Sequence, residues 1–204
     1  MPRPKTDIEE RIVEAARKCF LRSGVDGTSL RAIAATARTN LGMVYYYFPT
    51  KDDLFLRVIE APYGRMLDDL EAVLAPGATV ETRLRGLYDR VAAASEEEVH
   101  TFRLVLREAL TSNHRRERII ERFMRGHIPL VLGLVADGRR DGTFDATKHP
   151  FEIVAALVSL AVVPQAMLRI VGNRTPMGSP PSGPALAEAL VRALLHGVGD
   201  ASSE

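Results

Sequence analysis

The chain has a single cysteine, and this scarcity already narrows its class. Cys19 is the one thiol among 204 residues. One cysteine cannot close a disulfide within the chain, which excludes the disulfide-stapled domains common among secreted proteins. The first residues, Met-Pro-Arg-Pro-Lys-Thr-Asp, also lack the apolar stretch of a secretory signal. A reducing cytoplasm is therefore the predicted location.

Long apolar runs are also missing. The longest nearly uncharged run covers residues 153–163, which is eleven residues, whereas a helix that crosses a bilayer needs about 20. We therefore expect no membrane partner. A composition of 46% hydrophobic and 26% charged residues is that of an ordinary globular protein with a buried core.

A large net charge is absent too, but the small charge of +1 is unevenly distributed. Residues 1–51 carry nine basic and five acidic side chains, whereas the remaining 153 residues carry 18 basic and 21 acidic ones. A mildly basic head on a mildly acidic body indicates an anionic partner for the head.

Apolar side chains recur at helical spacing along most of the chain, and strand-like alternation of useful length does not occur. The three glycines and four prolines of residues 172–184 predict a loop before the last helix. The predicted fold class is therefore all-α. The predicted helices cover residues 7–23, 30–37, 41–48, 51–74, 80–95, 96–112, 115–140, 150–171 and 185–198.

The first three helices predict a helix-turn-helix unit, because they fit into about 45 residues and the last two are short and joined by a tight turn. Asn40 is a good N-cap for the third helix, and Pro49 ends it. Val44 and Phe48 lie four residues apart and are predicted to anchor that helix to the first two.

Residues in register across these helices carry a resemblance to a known family. They are Arg11, Ile12, Val13, Glu14, Ala15, Ala16, Phe20, Gly24, residues 28–34, Ala37, Gly42, Tyr45, Tyr47, Phe48, Lys51 and Leu54. This pattern resembles the signature of TetR-type transcriptional regulators. The resemblance implies a helix-turn-helix DNA-binding domain at residues 1–50 and a helical effector-binding and dimerisation domain at residues 51–204. It also implies a homodimer that binds a palindromic double-stranded operator, most often as a repressor that a small molecule releases.

The turn departs from the family pattern, because Arg38-Thr39-Asn40 stands where a glycine-containing turn is usual. If Arg38 adopts a positive φ, the strain costs about 1 kcal/mol. Whether Arg38 contacts DNA is left open by the sequence.

The third helix is the predicted reading helix. Leu41, Met43, Tyr46 and Tyr47 are predicted to face outward, where base edges and thymine methyl groups are partners for apolar side chains. The alternative is that these side chains pad an intramolecular core. Hydroxyls at the start of the second helix, the tyrosines and the lysine that opens the fourth helix suit phosphates. The alternative for that lysine is a solvated surface charge. The predicted DNA-binding residues are Thr28, Ser29, Arg31, Thr39, Asn40, Leu41, Gly42, Met43, Tyr45, Tyr46, Tyr47 and Lys51.

The remainder of the sequence has no catalytic or metal-binding pattern. The five histidines are scattered, and neither a glycine-rich phosphate loop nor a nucleophile elbow occurs. We therefore predict no enzyme activity, no metal site and no cofactor. A small-molecule carrier without DNA binding is the alternative function, and an enzyme ranks behind it.

The body offers apolar volume instead. In TetR-like regulators the corresponding helices surround a ligand cavity, whereas periodicity alone would assign the same residues to an ordinary core. The ligand-binding residues predicted by this resemblance are Tyr88, Phe102, Leu106, Phe123, Met124, His127 and Met167.

The last two helices are predicted to form the homodimer interface. Residues 151–171 are apolar nearly all round, and the helix over 185–198 adds several leucines, so their apolar surface suits a four-helix contact with a second copy. The alternative is a central helix fully buried within a monomer.

Overall fold

A computed structural model describes residues 5–171, 178, 181 and 183–196. Within these residues the chain forms ten helices and no strand, so the all-α prediction is confirmed. Most of the predicted 172–184 loop lies outside the described residues. The helices are α1 (Lys5–Ser23), α2 (Leu30–Thr36), α3 (Leu41–Tyr47), α4 (Lys51–Leu74), α5 (Val80–Ala92), α6 (Glu96–Thr111), α7 (Asn113–Met124), α8 (His127–Arg140), α9 (Pro150–Val171) and α10 (Pro184–His196).

The prediction of one helix over residues 115–140 was wrong, because the chain breaks there into α7 and α8. Gly126 has φ −118° and ψ −115°, a backbone conformation outside the helical region. Glycine reaches such conformations at little steric cost. Pro129 follows in the first turn of α8, where a missing backbone N–H leaves no hydrogen bond unmade. Gly126 and Pro129 therefore indicate a helix break that could have been predicted from the sequence.

The chain divides into two compact units. The first comprises Met1–Met66 and Ser95–Arg122, and the second comprises Leu67–Ala94 and Phe123–Glu204. These bounds describe packing, whereas the predicted division at residue 50 concerns function and stays a prediction.

The first unit is built around α1, which packs on α2 and on α6. Its core side chains include Phe20, Ile33, Phe55, Leu104 and Ile119, each at most 2% exposed. The second unit is built around α5, which packs on α8, α9 and α10.

Most of the apolar face of helix α10 is buried inside the second unit. Leu186, Leu190 and Val191 are buried there at 9% exposure or less. These leucine and valine side chains, which the sequence assigned to a dimer interface, are therefore already covered by packing within one chain.

Helix α9 is the long apolar helix of the second unit. Its span Pro150–Ile170 is long and apolar enough to cross a membrane by length and composition, because charged residues occur only near its ends. The sequence criterion missed this by counting only the uncharged centre. Along the described part of α9 the buried positions are Ile153, Leu157 and Ala161, a single stripe four residues apart that faces the rest of the unit.

Candidate nucleic-acid interface

The turn between α2 and α3 closes with the hydrogen bonds of a Schellman motif. Arg38 donates its N–H to Ala35 O at 3.1 Å, and Thr39 donates its N–H to Ala34 O at 3.0 Å. This motif places the residue after the C-cap in the left-handed region, usually as glycine. Arg38 occupies that position with φ 53°. The strain considered for Arg38 is therefore present, at about 1 kcal/mol or slightly more.

Arg11 on α1 stabilises this turn by hydrogen bonds to its backbone carbonyls. Its Nε donates to Ala37 O at 3.2 Å and its Nη2 donates to Arg38 O at 3.3 Å. Its Nη1 also pairs with Asp7 at 3.1 Å. Helix C-terminal carbonyls have no intrahelical donor, so the guanidinium supplies the missing hydrogen bonds. Sequence reasoning missed this role, since the partners lie 26 or more residues apart.

Helix α3 presents one anchored face and one exposed face. Val44 is fully buried and Phe48 is 6% exposed, as predicted for the anchoring side. Tyr46 is 67% exposed and Tyr45 is 52% exposed. The predicted outward side chains of Leu41, Met43 and Tyr47 are half-buried. The tyrosine-rich side of this short helix is therefore its most open surface.

The start of α3 is held by Asn40. The Asn40 Oδ1 accepts a hydrogen bond from the Met43 N–H at 2.9 Å, which satisfies one of the free amides at the helix start. Gly42 is exposed beside it, and a side chain there would bring its Cβ within 3.2 Å of Asn40 Oδ1. The cap thus fixes Asn40 and Gly42 at the end of α3 that is predicted to read bases, and Thr39 lies half-buried just before it.

The start of α2 is capped by Ser29, whose Oγ accepts from the Ala32 N–H at 3.1 Å. Arg31 is exposed in the first turn. Thr28 is buried, and its hydroxyl lies 2.7 Å from Gly24 O, to which it donates. Ser29 and Arg31 therefore lie where a phosphate could approach, whereas the Thr28 side chain closes the loop before α2.

Lys51 links the first turn of α4 to the same loop. Its Nζ donates to Thr28 O at 3.1 Å and to Asp26 O at 3.4 Å. An ammonium group has three donors, so two of them hold the loop in this structure. The predicted phosphate contact of Lys51 would come from a side chain that is already positioned.

A row of arginines on α7 pairs with acids on α4 and on the loop before α2. Arg115 is the most buried of them, at 5% exposure. Arg118 pairs with Asp53 at 3.0 Å, and Arg122 pairs with Glu60 at 2.8 Å. Arg122 also lies over the Tyr63 ring, 4.5 Å from its centroid.

The pKa values of two of these carboxylates, Asp26 and Asp53, are lowered. A hydrogen bond from Arg115 holds the pKa of Asp26 below its usual range. Hydrogen bonds from Thr50 and then from Arg118 do the same for the pKa of Asp53. Both carboxylates are therefore stabilised in the charged form beside the candidate DNA-facing loop.

The predicted ligand-binding residues are spread over both units. Phe102 and Leu106 lie on α6 in the first unit and are about half exposed, at 48% and 47%. The other five belong to the second unit. Among those, Phe123 and His127 meet ring to ring with centroids 4.7 Å apart at the break between α7 and α8.

The remaining three members of that set differ in burial. Met124 and Met167 are exposed, whereas Tyr88 is 1% exposed. The Tyr88 hydroxyl has no hydrogen-bond partner among the described residues, and burial raises its pKa. A role for any of these residues in ligand binding stays a prediction. Among the described residues, no group of three or more histidine, cysteine or acidic side chains could hold a metal ion.

The arrangement of α1, α2 and α3 is that of a helix-turn-helix DNA-binding protein. It has three helices joined by short loops, a Schellman turn between the last two, and an exposed third helix with an N-cap. The family described as bacterial regulatory proteins, tetR family, matches residues 12–58. The chain is 32% identical to HTH-type transcriptional repressor SCO4008 of Streptomyces coelicolor over 173 residues, which is 80% of this chain and 83% of that protein. It is 39% identical over 55 residues to HTH-type transcriptional repressor NicS of Pseudomonas putida, which covers 27% of this chain and 26% of the relative.

Solved structures show the same fold. The transcriptional regulator FadR of Bacillus subtilis, solved with stearoyl-CoA, is similar with a TM-score of 0.70 at 18% identity, covering 93% of this chain and 99% of the other. PfmR of Thermus thermophilus is similar with a TM-score of 0.68 at 22% identity, covering 93% and 100%. The chain belongs to the TetR family of bacterial regulatory proteins, whose members are DNA-binding transcriptional regulators.

Proposed function

We propose that this regulator is a cytoplasmic repressor that binds a palindromic operator as a homodimer and is released by a small, mainly apolar effector. The observation that carries the DNA-binding part is α3. This helix is fixed on its inner side by Val44 and capped at its start by Asn40, yet it leaves Tyr45 and Tyr46 more than half exposed. Large exposed side chains on a rigid two-turn helix are suited to a major groove.

The repressor role is supported by the relatives. SCO4008 and NicS are both named HTH-type transcriptional repressors, and the first of them is similar over most of this chain. A dimeric helix-turn-helix protein places its two reading helices about one turn of DNA apart, roughly 34 to 36 Å or a multiple, which favours a palindromic site.

The homodimer is supported by the outer surface of α9. Its buried stripe covers only one side, and large apolar side chains remain exposed on the rest of the helix. Large apolar side chains left exposed on a helix in this number are typical of a subunit contact. The exposed large side chains are Phe151, Val158, Val163, Met167 and Ile170.

The effector is supported by two observations. The Tyr88 hydroxyl is buried without a partner in the second unit, and a buried donor of this kind is stabilised by a polar group that reaches it. FadR, which has the same fold, was solved with stearoyl-CoA, a ligand with a long apolar chain. A mainly apolar molecule with one polar end would match both.

The proposal is tested by measuring binding to duplex DNA. The full chain is used to enrich a random-sequence duplex pool and is then titrated against the enriched duplex and against the DNA upstream of its own gene. We expect a palindromic motif and a complex of two chains per site. Apolar metabolites that raise the melting temperature are then added to the DNA complex. Enrichment of no sequence, together with tight binding of an apolar molecule, would favour the carrier function instead.

A further inference from the structure

A buried ion-pair cluster lies beside the candidate DNA-facing loop in the first unit. Glu108 on α6 and Arg115 on α7 are 2% and 5% exposed. The Arg115 Nε lies 2.9 Å from the Glu108 Oε2. The Glu108 Oε1 accepts a hydrogen bond from the Val25 N–H at 3.2 Å. The pair therefore holds the backbone of the loop between α1 and α2 directly.

The same arginine reaches two further carboxylates. Its Nη1 lies 3.2 Å from Asp52 Oδ1 on the first turn of α4, and its Nη2 donates to Asp26 Oδ2 in the loop. The Asp26 side chain is 74% exposed and Asp52 is 22% exposed. One guanidinium thus hydrogen-bonds to acids in the loop and at the start of α4 and forms an ion pair, without a hydrogen bond from its Nε, with Glu108 on α6.

The segments joined in this way supply the candidate phosphate contacts. Ser29 follows the loop directly, and Lys51 is the first residue of α4 and also donates to the loop carbonyls. If the loop moved away from α4, the start of α2 and the Lys51 ammonium group would no longer face the DNA backbone in a fixed relation.

We propose that Glu108 and Arg115 are positioning residues for DNA binding. They touch no DNA themselves, and they hold the loop of residues 24–28 and the first turn of α4 at the spacing in which Ser29 and Lys51 contact phosphates together. This inference rests on the proposed DNA binding and adds the source of its geometry, which lies in α6 and α7 rather than in the helix-turn-helix itself.

Asp26 distinguishes positioning from simple electrostatics, because the two effects have opposite signs. Asp26→Asn removes a negative charge next to the DNA-facing loop, and electrostatics alone then predicts tighter binding to DNA. The same change removes the Arg115 link to the loop, and positioning then predicts weaker binding. Glu60→Gln is the matched control, since it makes the same change in charge and removes the acid partner of Arg122 instead.

The experiment measures binding of full-length variants to the duplex that the parent enriches from a random pool, over a salt series. Active concentration is determined by stoichiometric titration, so the affinity refers to folded protein alone. We expect Asp26→Asn to bind about tenfold more weakly, with a salt slope smaller by about one unit because one phosphate contact is lost. Glu60→Gln should bind as the parent does, or slightly more tightly.

Arg115→Met gives a second test, with Arg122→Met as its control on the same helix. We expect Arg115→Met to weaken binding more than Asp26→Asn, because all three acids are released at once. The effect of Lys51→Ala should be smaller in the Arg115→Met background than in the parent, since the two changes disturb one contact. Should Arg115→Met not fold, Asp26→Asn alone decides the question.

The possible results distinguish failure of the proposed function from failure of the positioning role. Parent protein that enriches no duplex overturns the proposed function. Parent protein that binds normally, together with Asp26→Asn that binds equally or more tightly, overturns the positioning role. Equal losses in Arg115→Met and Arg122→Met, with additive effects of Lys51→Ala, would also overturn it.

Discussion

Within each of the two compact units, the helices are joined by a different proportion of ion pairs and apolar contacts. In the first, α7 contacts α4 and the loop before α2 through arginine–carboxylate pairs such as Arg115 with Asp52 and Arg122 with Glu60. In the second, α5 packs on α8, α9 and α10 through apolar side chains such as Leu84 and Leu157. Ion pairs with fixed geometry are directional, whereas apolar contacts tolerate small shifts. Such pairs are more numerous in the unit that must present α3 to DNA. The second unit, proposed to bind an effector and a second chain, also has a pair with a buried arginine, Arg83 with Asp137 at 2.8 Å.

The largest effect on stability is expected from a substitution in the apolar core of the second unit. Leu157→Ala removes a side chain that is 1% exposed in the buried stripe of α9. We expect a loss of about 2 to 5 kcal/mol in the free energy of unfolding, measured by denaturant titration, because a cavity is left behind. The neighbouring Val158, 45% exposed, gives the control. If Val158→Ala cost as much, α9 would face its unit differently.

The next prediction concerns the exposed side of α9. Val163→Glu places a charge on the surface proposed for the dimer contact, and should raise the dimer dissociation constant at least about 100-fold because like charges then face each other. Sedimentation velocity measures the change, and operator affinity should fall with it. Leu110→Glu on α6 is the control, because Leu110 is 76% exposed in the other unit.

This dimer prediction fails if the dissociation constant of Val163→Glu equals that of the parent or changes no more than that of Leu110→Glu. A charge at Leu190 would be a poor test, since that residue is 8% exposed within its own unit and its replacement would disturb folding.

The contribution of the ion pairs in the first unit is tested by changing the pH. Asp26 and Asp53 have lowered pKa values in the folded chain, from an ordinary value of 3.8. Their contribution to stability is therefore present above that value and is lost as pH falls through the lower folded values. We expect the fall in melting temperature below pH 4 to be shallower in Asp26→Asn/Asp53→Asn than in the parent. Parallel curves would show that these pairs add nothing to stability.

The smallest effect is expected at the turn. Arg38→Gly relieves a left-handed φ and should change the free energy of unfolding by at most about 1 kcal/mol, in the stabilising direction. Arg38→Ala removes the same side chain but keeps the strain, so it is the matched control. If both variants lose operator affinity alike, the Arg38 side chain contacts DNA. If neither loses affinity, its role ends at the turn.

Local signals in the sequence predicted much of the fold and part of the site. Asn40 was predicted as the N-cap of α3 and is observed there, and proline and apolar spacing predicted the bounds of α4 and α9 as observed. A helix cap is set by residues three apart, and helical spacing by residues four apart, so both are legible along the chain.

The contacts that hold the candidate site were not predictable in this way. Arg115 and Asp26 are 89 residues apart, and Arg11 and Ala37 are 26 apart. Periodicity shows which side of α7 is charged but not which acids meet it. The burial of Arg115 therefore emerged only from the tertiary structure, and so did the use of the Thr28 hydroxyl inside the loop.

The central claim is that the exposed face of α3 reads DNA sequence while Lys51 contacts phosphate. It is tested most directly by enriching duplexes from a random pool with the parent, Met43→Ala and Lys51→Ala, and comparing the sequences obtained. We expect Met43→Ala to change the preferred bases at one position of each half-site, and Lys51→Ala to keep the motif while its salt slope falls by about one unit. An unchanged motif in Met43→Ala, and likewise in Tyr46→Ala, would contradict the assignment of α3 as the reading helix.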